Sequence, residues 1–328
     1  MNYFNPFSSA RNFFQYLSSL TCRRPFGLVY HVVSDQSLPH IRHLFPYKKI
    51  EYFEADLIYL KENYHLLTYD ELKHRTKNPA KLKKDEIFIS FDDGYSECFT
   101  IIRPLLKKYR IPCVFFVATD FIDNRAMFYR NQLSLCIDKI IGSDEKSWQT
   151  LEAQINSAIR DRIEGKINWI SHLKSLNYPE RDTINIIGEI LELDFQKYLN
   201  EQKPYLSSES IQSLSSDGFT IGAHSQGHAK FKWLKESEMA EDIQKSCHVI
   251  QALTGAADTP FAFPFSVSRS DLNGMWHILS KHKSAGLLFN SGKFVRSNMI
   301  LNRIPADKPP SGSKTNLPEL IQAAHSAR

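Results

Sequence analysis

At 328 residues, with 42% hydrophobic and 23% charged side chains, the chain is long enough to bury a substantial α/β core and needs no covalent staples. Its formal net charge of +5 comes from lysines and arginines scattered among acids, which favours solubility and excludes the clustered basic surface that nucleic-acid binding requires. Five cysteines, Cys22, Cys98, Cys113, Cys136 and Cys247, lie far apart with no CxxC pair, and read as reduced thiols of a cytoplasmic protein.

No stretch approaches the roughly 18 apolar residues needed to cross a bilayer. Residues 1–25 also fail as a signal peptide, because Arg11 interrupts the apolar part and Arg23 and Arg24 lie on its far side. Ala10, Phe13, Phe14, Leu17 and Leu20 have helical spacing, so this leader reads as an amphipathic helix. It would pack on its own domain or lie peripherally on a membrane. The domain proper is expected over residues 26–328. Phe26 to Val33 predicts a first strand with His31 near its C-terminal end, and Ile50 to Tyr64 an amphipathic helix. Lys73 to Lys84 reads as a solvated connection leading to a buried strand at Ile87 to Phe91. That strand stops abruptly at Asp92-Asp93-Gly94.

A helix follows to about Tyr109, restarting at Pro104, and then a strand at Ile111 to Ala118. Strand, helix and strand in so short a span predict a parallel sheet. From about residue 123 to 205 the texture changes to charged, helical spacing, expected as an insertion that packs on the body or shapes the cleft rim. Ser207 to Ser210 then starts another helix before a strand at Phe219 to Ala223. A helix at Glu236 to Leu253 with Gly255 as its stop comes next. Strands are expected at Phe261 to Phe263, Ser284 to Phe289 and Met299 to Ile304, with a helix between the first two.

Two adjacent carboxylates at a strand end repel unless a cation lies between them or one holds a proton. From that stretch alone, an Asp-Gly turn accounts for the pattern as well as a metal site does. His224 and His228 end a separate predicted strand, and two solvated loop histidines are the plainer reading of HxxxH taken alone. Together the two strand ends offer more. One carboxylate with two imidazoles is a catalytic type of donor set that leaves a position open, and the second carboxylate is available as a base.

Ser90-Phe91-Asp92-Asp93-Gly94 and His224-Ser225-Gln226-Gly227-His228 resemble the first two motifs of the NodB-like polysaccharide deacetylases, carbohydrate esterase family four. Phe261-Ala262-Phe263-Pro264-Phe265 resembles the third, and the similarity covers most of Leu28 to Pro305 apart from the insertion. The resemblance implies a distorted (β/α) barrel and metal-dependent removal of acetyl groups from an N-acetylated glycan or glycolipid. Asp93, His224 and His228 would bind the metal, zinc first, with cobalt or nickel also accepted by such a set. Asp92 would be the base that activates water at the metal, and the backbone N–H of Phe265 would hold the oxyanion.

Two departures stand out. Many relatives carry an arginine in the third motif that orients the base, and here that residue is Ala262; either another cation substitutes, with Arg303 the candidate, or the base is tuned differently. Relatives also place an acid histidine near the C-terminus, where this chain has Leu301-Asn302-Arg303. His31 resolves the second difficulty, being similar to the acid histidine in the branch that includes poly-N-acetylglucosamine deacetylases. The substrate would be met on the cytoplasmic side, as an intermediate of surface-polysaccharide assembly. Other readings keep the site but make it a non-sugar amidase, or a glycan-binding protein that has lost turnover. Of Trp148, Trp169, Trp233 and Trp276, only Trp233 reads as a sugar-stacking residue, and Cys98, Cys113 and Cys247 read as core.

Overall fold

Short strands that are buried on both faces set the architecture. In the computed structural model, residues 25–77, 85–268, 285–292, 294, 295 and 300–326 are described. Every residue of β1 (Phe26–Tyr30), β3 (Glu86–Phe91), β4 (Val114–Val117) and β6 (Thr259–Ala262) is buried. Such continuous apolar runs are what a parallel sheet covered on both sides demands. With β5 (Thr220–Ala223), β7 (Ala285–Ser291) and β8 (Ile300–Pro305), they pair in the order β1-β8-β7-β6-β5-β4-β3. A further β1–β3 pairing, Phe26 with Ile87 through Tyr30 with Phe91, closes a seven-stranded parallel barrel. A two-residue strand β2 (His65–Leu66) pairs with Glu86 and Ile87 of β3.

All strands run the same way, so their C-terminal ends share one mouth. The two-residue period of a strand then sorts the side chains. Ile87, Ile89 and Phe91 join the cluster shared with the surrounding helices, whereas Phe88 joins Phe116, Ala262, Phe289 and Leu301 in a second cluster inside the barrel. Ser90 and Asp92 continue the Phe88 side, and Arg303 continues the Leu301 side. The barrel is narrow: a Cβ at Gly222 would come within 2.5 Å of the Phe116 ring and 2.7 Å of the Pro260 carbonyl oxygen, so only glycine fits there.

Among the described residues the α-helices are α1 (Ile50–Asn63), α2 (Tyr69–Lys77), α3 (Arg103–Tyr109), α4 (Tyr129–Gly142), α5 (Glu145–Ile159), α6 (Lys166–Ser175), α7 (Arg181–Ile190), α8 (Phe195–Gln202), α9 (Ser208–Ser216), α10 (Glu236–Thr254) and α11 (Leu317–Ser326). Their ends follow local chemistry. Pro104 sits in the first turn of α3, after a π-helical turn at Cys98–Ile102, and Ser207 caps α9 by accepting from the Ser210 N–H at 3.1 Å. Gly255 ends α10 in the left-handed conformation, with φ 70°.

Helices α4 to α7 bury a core of their own around Trp148 and Trp169. Those two indoles are therefore packing residues. Cys98, Cys113, Cys136 and Cys247 are all free and buried.

Three expectations change. Lys73 to Lys77, read as a solvated connection, belong to α2, which buries Tyr69 and Leu72 while Lys73 pairs with Asp70 and Asp258 and Lys77 is exposed. The helix expected over Ile50 to Tyr64 ends at Asn63, with Tyr64 as its extended cap, and the chain passes directly into β2. α11 was not anticipated; it buries Leu317, Ile321 and Ala324. The leader expected at 1–25, apart from its last residue, lies outside the described residues, as do Cys22, Trp276 and most of the helix expected before β7. Among the described residues no helix is long and apolar enough to cross a membrane.

A buried polar network ties β1 and α1 to the segment before α11. Asp56 and Lys48 are fully buried, with Lys48 Nζ donating to Asp56 Oδ2 at 2.5 Å and to Asn316 Oδ1 at 2.9 Å. The Tyr30 and Thr315 hydroxyls also donate to Asp56, at 2.9 and 2.5 Å. Burial pushes the Asp56 carboxyl up, and Lys48 is the strongest influence opposing it. Removing that cation leaves a desolvated carboxylate, so Lys48→Met is expected to cost about 3–5 kcal/mol of folding free energy in urea denaturation. A loss below about 1 kcal/mol would show that the pair is dispensable.

Candidate active site

Asp92 follows β3 and keeps its inward side. There it meets Arg303 of β8, which is completely buried. Arg303 Nη1 donates to Asp92 Oδ1 at 2.5 Å and Nη2 to Oδ2 at 2.8 Å, a two-point grip that fixes the plane of the carboxylate. The same Nη1 reaches Ser90 Oγ at 3.1 Å, and Nε reaches the Asn290 carbonyl at 3.4 Å. The guanidinium lies 4.9 Å from the Phe116 ring centroid and 5.9 Å from that of Phe289. The arginine missing at Ala262 of β6 is thus matched by one arriving from β8.

Asp93 turns away. Its φ of 73° and that of Gly94, 78°, bend the chain through the left-handed region, and the two neighbouring carboxylates diverge. Asp93 Oδ1 lies 3.1 Å from His228 Nε2 and 3.4 Å from His224 Nε2, all three residues being buried. Left-handed backbone recurs at Ser225 (φ 65°), His228 (φ 55°) and Phe265 (φ 61°). Outside glycine each such residue costs of order 1–3 kcal/mol, and this clustering marks the mouth as a place where geometry has been favoured over local stability.

The three donors fit a divalent cation. His224 Nδ1–H donates to the Ala262 carbonyl at 2.9 Å, which turns Nε2 toward Asp93. Asp93 Oδ1 has no hydrogen-bond partner among the described residues. Burial opposes its charge, yet the nearness of His228 and His224 holds the Asp93 carboxyl well below the usual carboxylate range. Burial lowers His228, with His224 and Arg130 adding to it against the pull of Asp93. One carboxylate oxygen and two imidazole nitrogens converging on one point form a set of donors that a metal can occupy once their protons are released.

His31 follows β1. Its backbone N–H donates to Asp307 Oδ1 at 2.8 Å, and its Nδ1–H to Asp307 Oδ2 at 2.8 Å, leaving Nε2 as the nitrogen with a proton to give. Burial works against the imidazolium, but Asp307, with Asp93 and Asp92 behind it, outweighs burial and pushes the pKa up to about 10. Sequence reasoning missed Asp307. Its signal was an acid just past the last predicted strand, visible as a partner only once β8 is known to pair with β1 through Gly27 and Arg303.

Phe265 places its ring 5.0 Å from that of His228, and among the described residues its N–H has no acceptor. Trp233 is 43% exposed, with Lys232 Nζ 4.4 Å from its ring centroid. Residues at the two ends of the helical segment close around the site. Phe128, just before α4, packs edge-on to His228 at 4.9 Å. Tyr205 bridges to Tyr95, and the Leu206 N–H donates to the Gly94 carbonyl at 2.9 Å.

A closed parallel barrel whose mouth carries a donor set for a dication beside a locked carboxylate defines a hydrolytic enzyme of the barrel class. The chain belongs to the polysaccharide deacetylase family, which residues 80–282 match, and so is a hydrolase of N-acetyl amide bonds. His31, Arg303 and Asp307 lie outside that matched stretch. No protein with a curated description matches the sequence.

Solved structures share the fold at low identity. The Streptococcus pyogenes deacetylase PplD, in complex with acetate, has a TM-score of 0.58 at 14% identity, over 92% of this chain and 99% of that one. IcaB from Ammonifex degensii has a TM-score of 0.54 at 16% identity, over 93% of this chain and 97% of its own. A de-N-acetylase from Aggregatibacter actinomycetemcomitans has 0.51 at 13%, over 89% and 98%.

Zinc titrated into the metal-free protein is expected to stabilise it, by about 2.7 kcal/mol when the free ion is at 100 times its dissociation constant. The stabilisation should vanish in His224→Ala. Unfolding that is indifferent to zinc, cobalt and nickel alike would remove the metal reading.

Proposed function

We propose that the protein is a metal-dependent de-N-acetylase of an amino-sugar glycan or glycolipid. What carries this reading is the divergence of two adjacent carboxylates: Asp93 into a donor set with His224 and His228, and Asp92 onto Arg303. A dication bound by Asp93, His224 and His228, with zinc suiting two imidazoles and a carboxylate, supplies Lewis acidity that acidifies water and polarises the acetamide carbonyl.

The chain's own groups move the protons. Asp92, oriented by Arg303, accepts one proton as water oxygen bonds to the acetamide carbon. The Phe265 N–H, which has no acceptor among the described residues, donates to the resulting oxyanion. His31 gives its Nε2 proton to the amine nitrogen as the C–N bond breaks, so that acetate and the free amino sugar leave. Asp307 holds that proton on His31 until then. With a dication offsetting Asp93, Asp307 is the main support left to the imidazolium.

Acetate release from a panel of N-acetylated glycans should depend on metal, fall with chelator, and drop roughly 10²–10⁴-fold in kcat in Asp92→Asn. Release insensitive to both treatments would sink the mechanism. Release from simple amides in preference to every glycan would favour the non-sugar amidase.

A second outcome concerns pH. An acid works only while protonated, so kcat/KM falls as pH rises through the pKa of His31. Asp307→Asn withdraws the charge that raises this pKa and should move the alkaline fall to lower pH, and His31→Ala should lower turnover at least 100-fold while metal content is unchanged. An alkaline limb unmoved in Asp307→Asn, or near-normal turnover in His31→Ala, would remove the acid role.

A further inference from the structure

Two cations converge on one ring at the mouth. Arg130 Cζ and Lys230 Nζ each lie 5.7 Å from the centroid of the Phe265 ring, which itself lies against metal-site His228. Arg130 comes from the first turn of α4 and Lys230 from the loop two residues after His228. Both are half-buried, and neither has a carboxylate partner among the described residues.

Attraction to the ring face explains either cation taken singly. It does not explain the pair, since two like charges sharing one ring repel. Arg130 is also at the wrong end of its helix, where the dipole is positive and an acid would be the stabilising residue. The acids of the site do not compensate, because Asp92 is matched by Arg303 and Asp93 faces the two imidazoles. Local electrostatics here are unfavourable in the free protein and become favourable when an anion enters. Such departures from local consistency are characteristic of binding sites.

Given the deacetylase reading above, we propose that Arg130 and Lys230 form an anion-reading rim, and that the substrate is an N-acetylated amino sugar bearing a phosphate or carboxylate close to its acetamide. Arginine offers a planar fork to two oxygens of such a group and lysine a point charge beside it. The rim is joint property of α4 and the metal-binding loop. It therefore reads the substituent at a fixed distance from the reacting bond.

The test uses the full zinc-loaded protein and three sugars: N-acetylglucosamine 1-phosphate, N-acetylmuramic acid and the uncharged N,N′-diacetylchitobiose. Dissociation constants from calorimetry should show at least a tenfold preference for one anionic sugar over the uncharged one, weakening as salt is raised. The phosphate and carboxylate arms decide which group is read. In R130M/K230M the preference should fall at least tenfold with zinc content unchanged, and K230M alone should give a partial loss if the double variant folds poorly.

Equal binding of all three sugars overturns the proposal. So does a preference that survives in R130M/K230M, which would place the anion on the metal. Acetate release is a separate readout: none from any glycan sinks the deacetylase reading, whereas release without anion preference sinks this inference alone.

Discussion

The contact between Arg303 and Asp92 is the constraint on which the site depends. Two unlike charges buried inside a barrel recover their desolvation only with good geometry, and the two-point grip supplies it. Removing either partner would strand the other, at a cost of about 3–5 kcal/mol. The pair therefore couples the closure of the barrel to the chemistry at its mouth. Arg303 reaches Asp92 only because β8 lies beside β1 and β1 beside β3. The same adjacency brings Asp307, two residues after β8, against His31, just after β1. One closing step thus assembles the arginine that grips Asp92 and the carboxylate that accepts from His31.

Backbone geometry separates the roles of the two neighbouring acids. Strand alternation sends Asp92 inward, and the left-handed turn at Asp93 and Gly94 carries the next carboxylate to the histidines. Without that turn two like charges would share one environment, which is costly in a dry site. The left-handed residues at Ser225, His228 and Phe265 are tolerated because the loops around them are over-determined. The Ser225 hydroxyl accepts from the His228 N–H at 2.9 Å, and the Ser225 carbonyl accepts from Thr119 at 3.0 Å.

The helical segment after β4 takes part in this arrangement. Its own core around Trp148 and Trp169 makes it self-supporting, while a second cluster including Tyr95, Phe121, Phe128 and Tyr205 fastens it to the strand ends. Asn131 knits the junction, donating to the His40 carbonyl and the Tyr95 hydroxyl and accepting from the Tyr205 hydroxyl at 2.6 Å. Packing in that junction sets Phe128 against His228 and Arg130 beside Phe265. The sequence leaves open whether the segment packs on the body or shapes the cleft rim, and it does both, burying its own core while bringing Phe128 and Arg130 to the rim of the site.

Much of this was legible in the residues. Apolar runs ending in Asp92-Asp93-Gly94 and in His224 and His228 already mark strand ends, because a parallel strand buried on both faces must be apolar along its length and polar where it emerges. The donor set is local to two such ends, and so were its candidates. Helix limits at Ser207 and Gly255 were readable for the same reason: capping is chemistry between near neighbours. Neither α2, which includes Lys73 to Lys77, nor α11 was legible, because their weak patterns become helical only when a tertiary partner covers one face. Arg303 could be nominated only by the lack of an arginine at Ala262, and Asp307 not at all. Local sequence, then, determined the strands, their polar ends and the donor types. Barrel closure alone decided which distant charges meet, since ion pairs between β8 and the first strands depend on register and adjacency that no short stretch of sequence encodes.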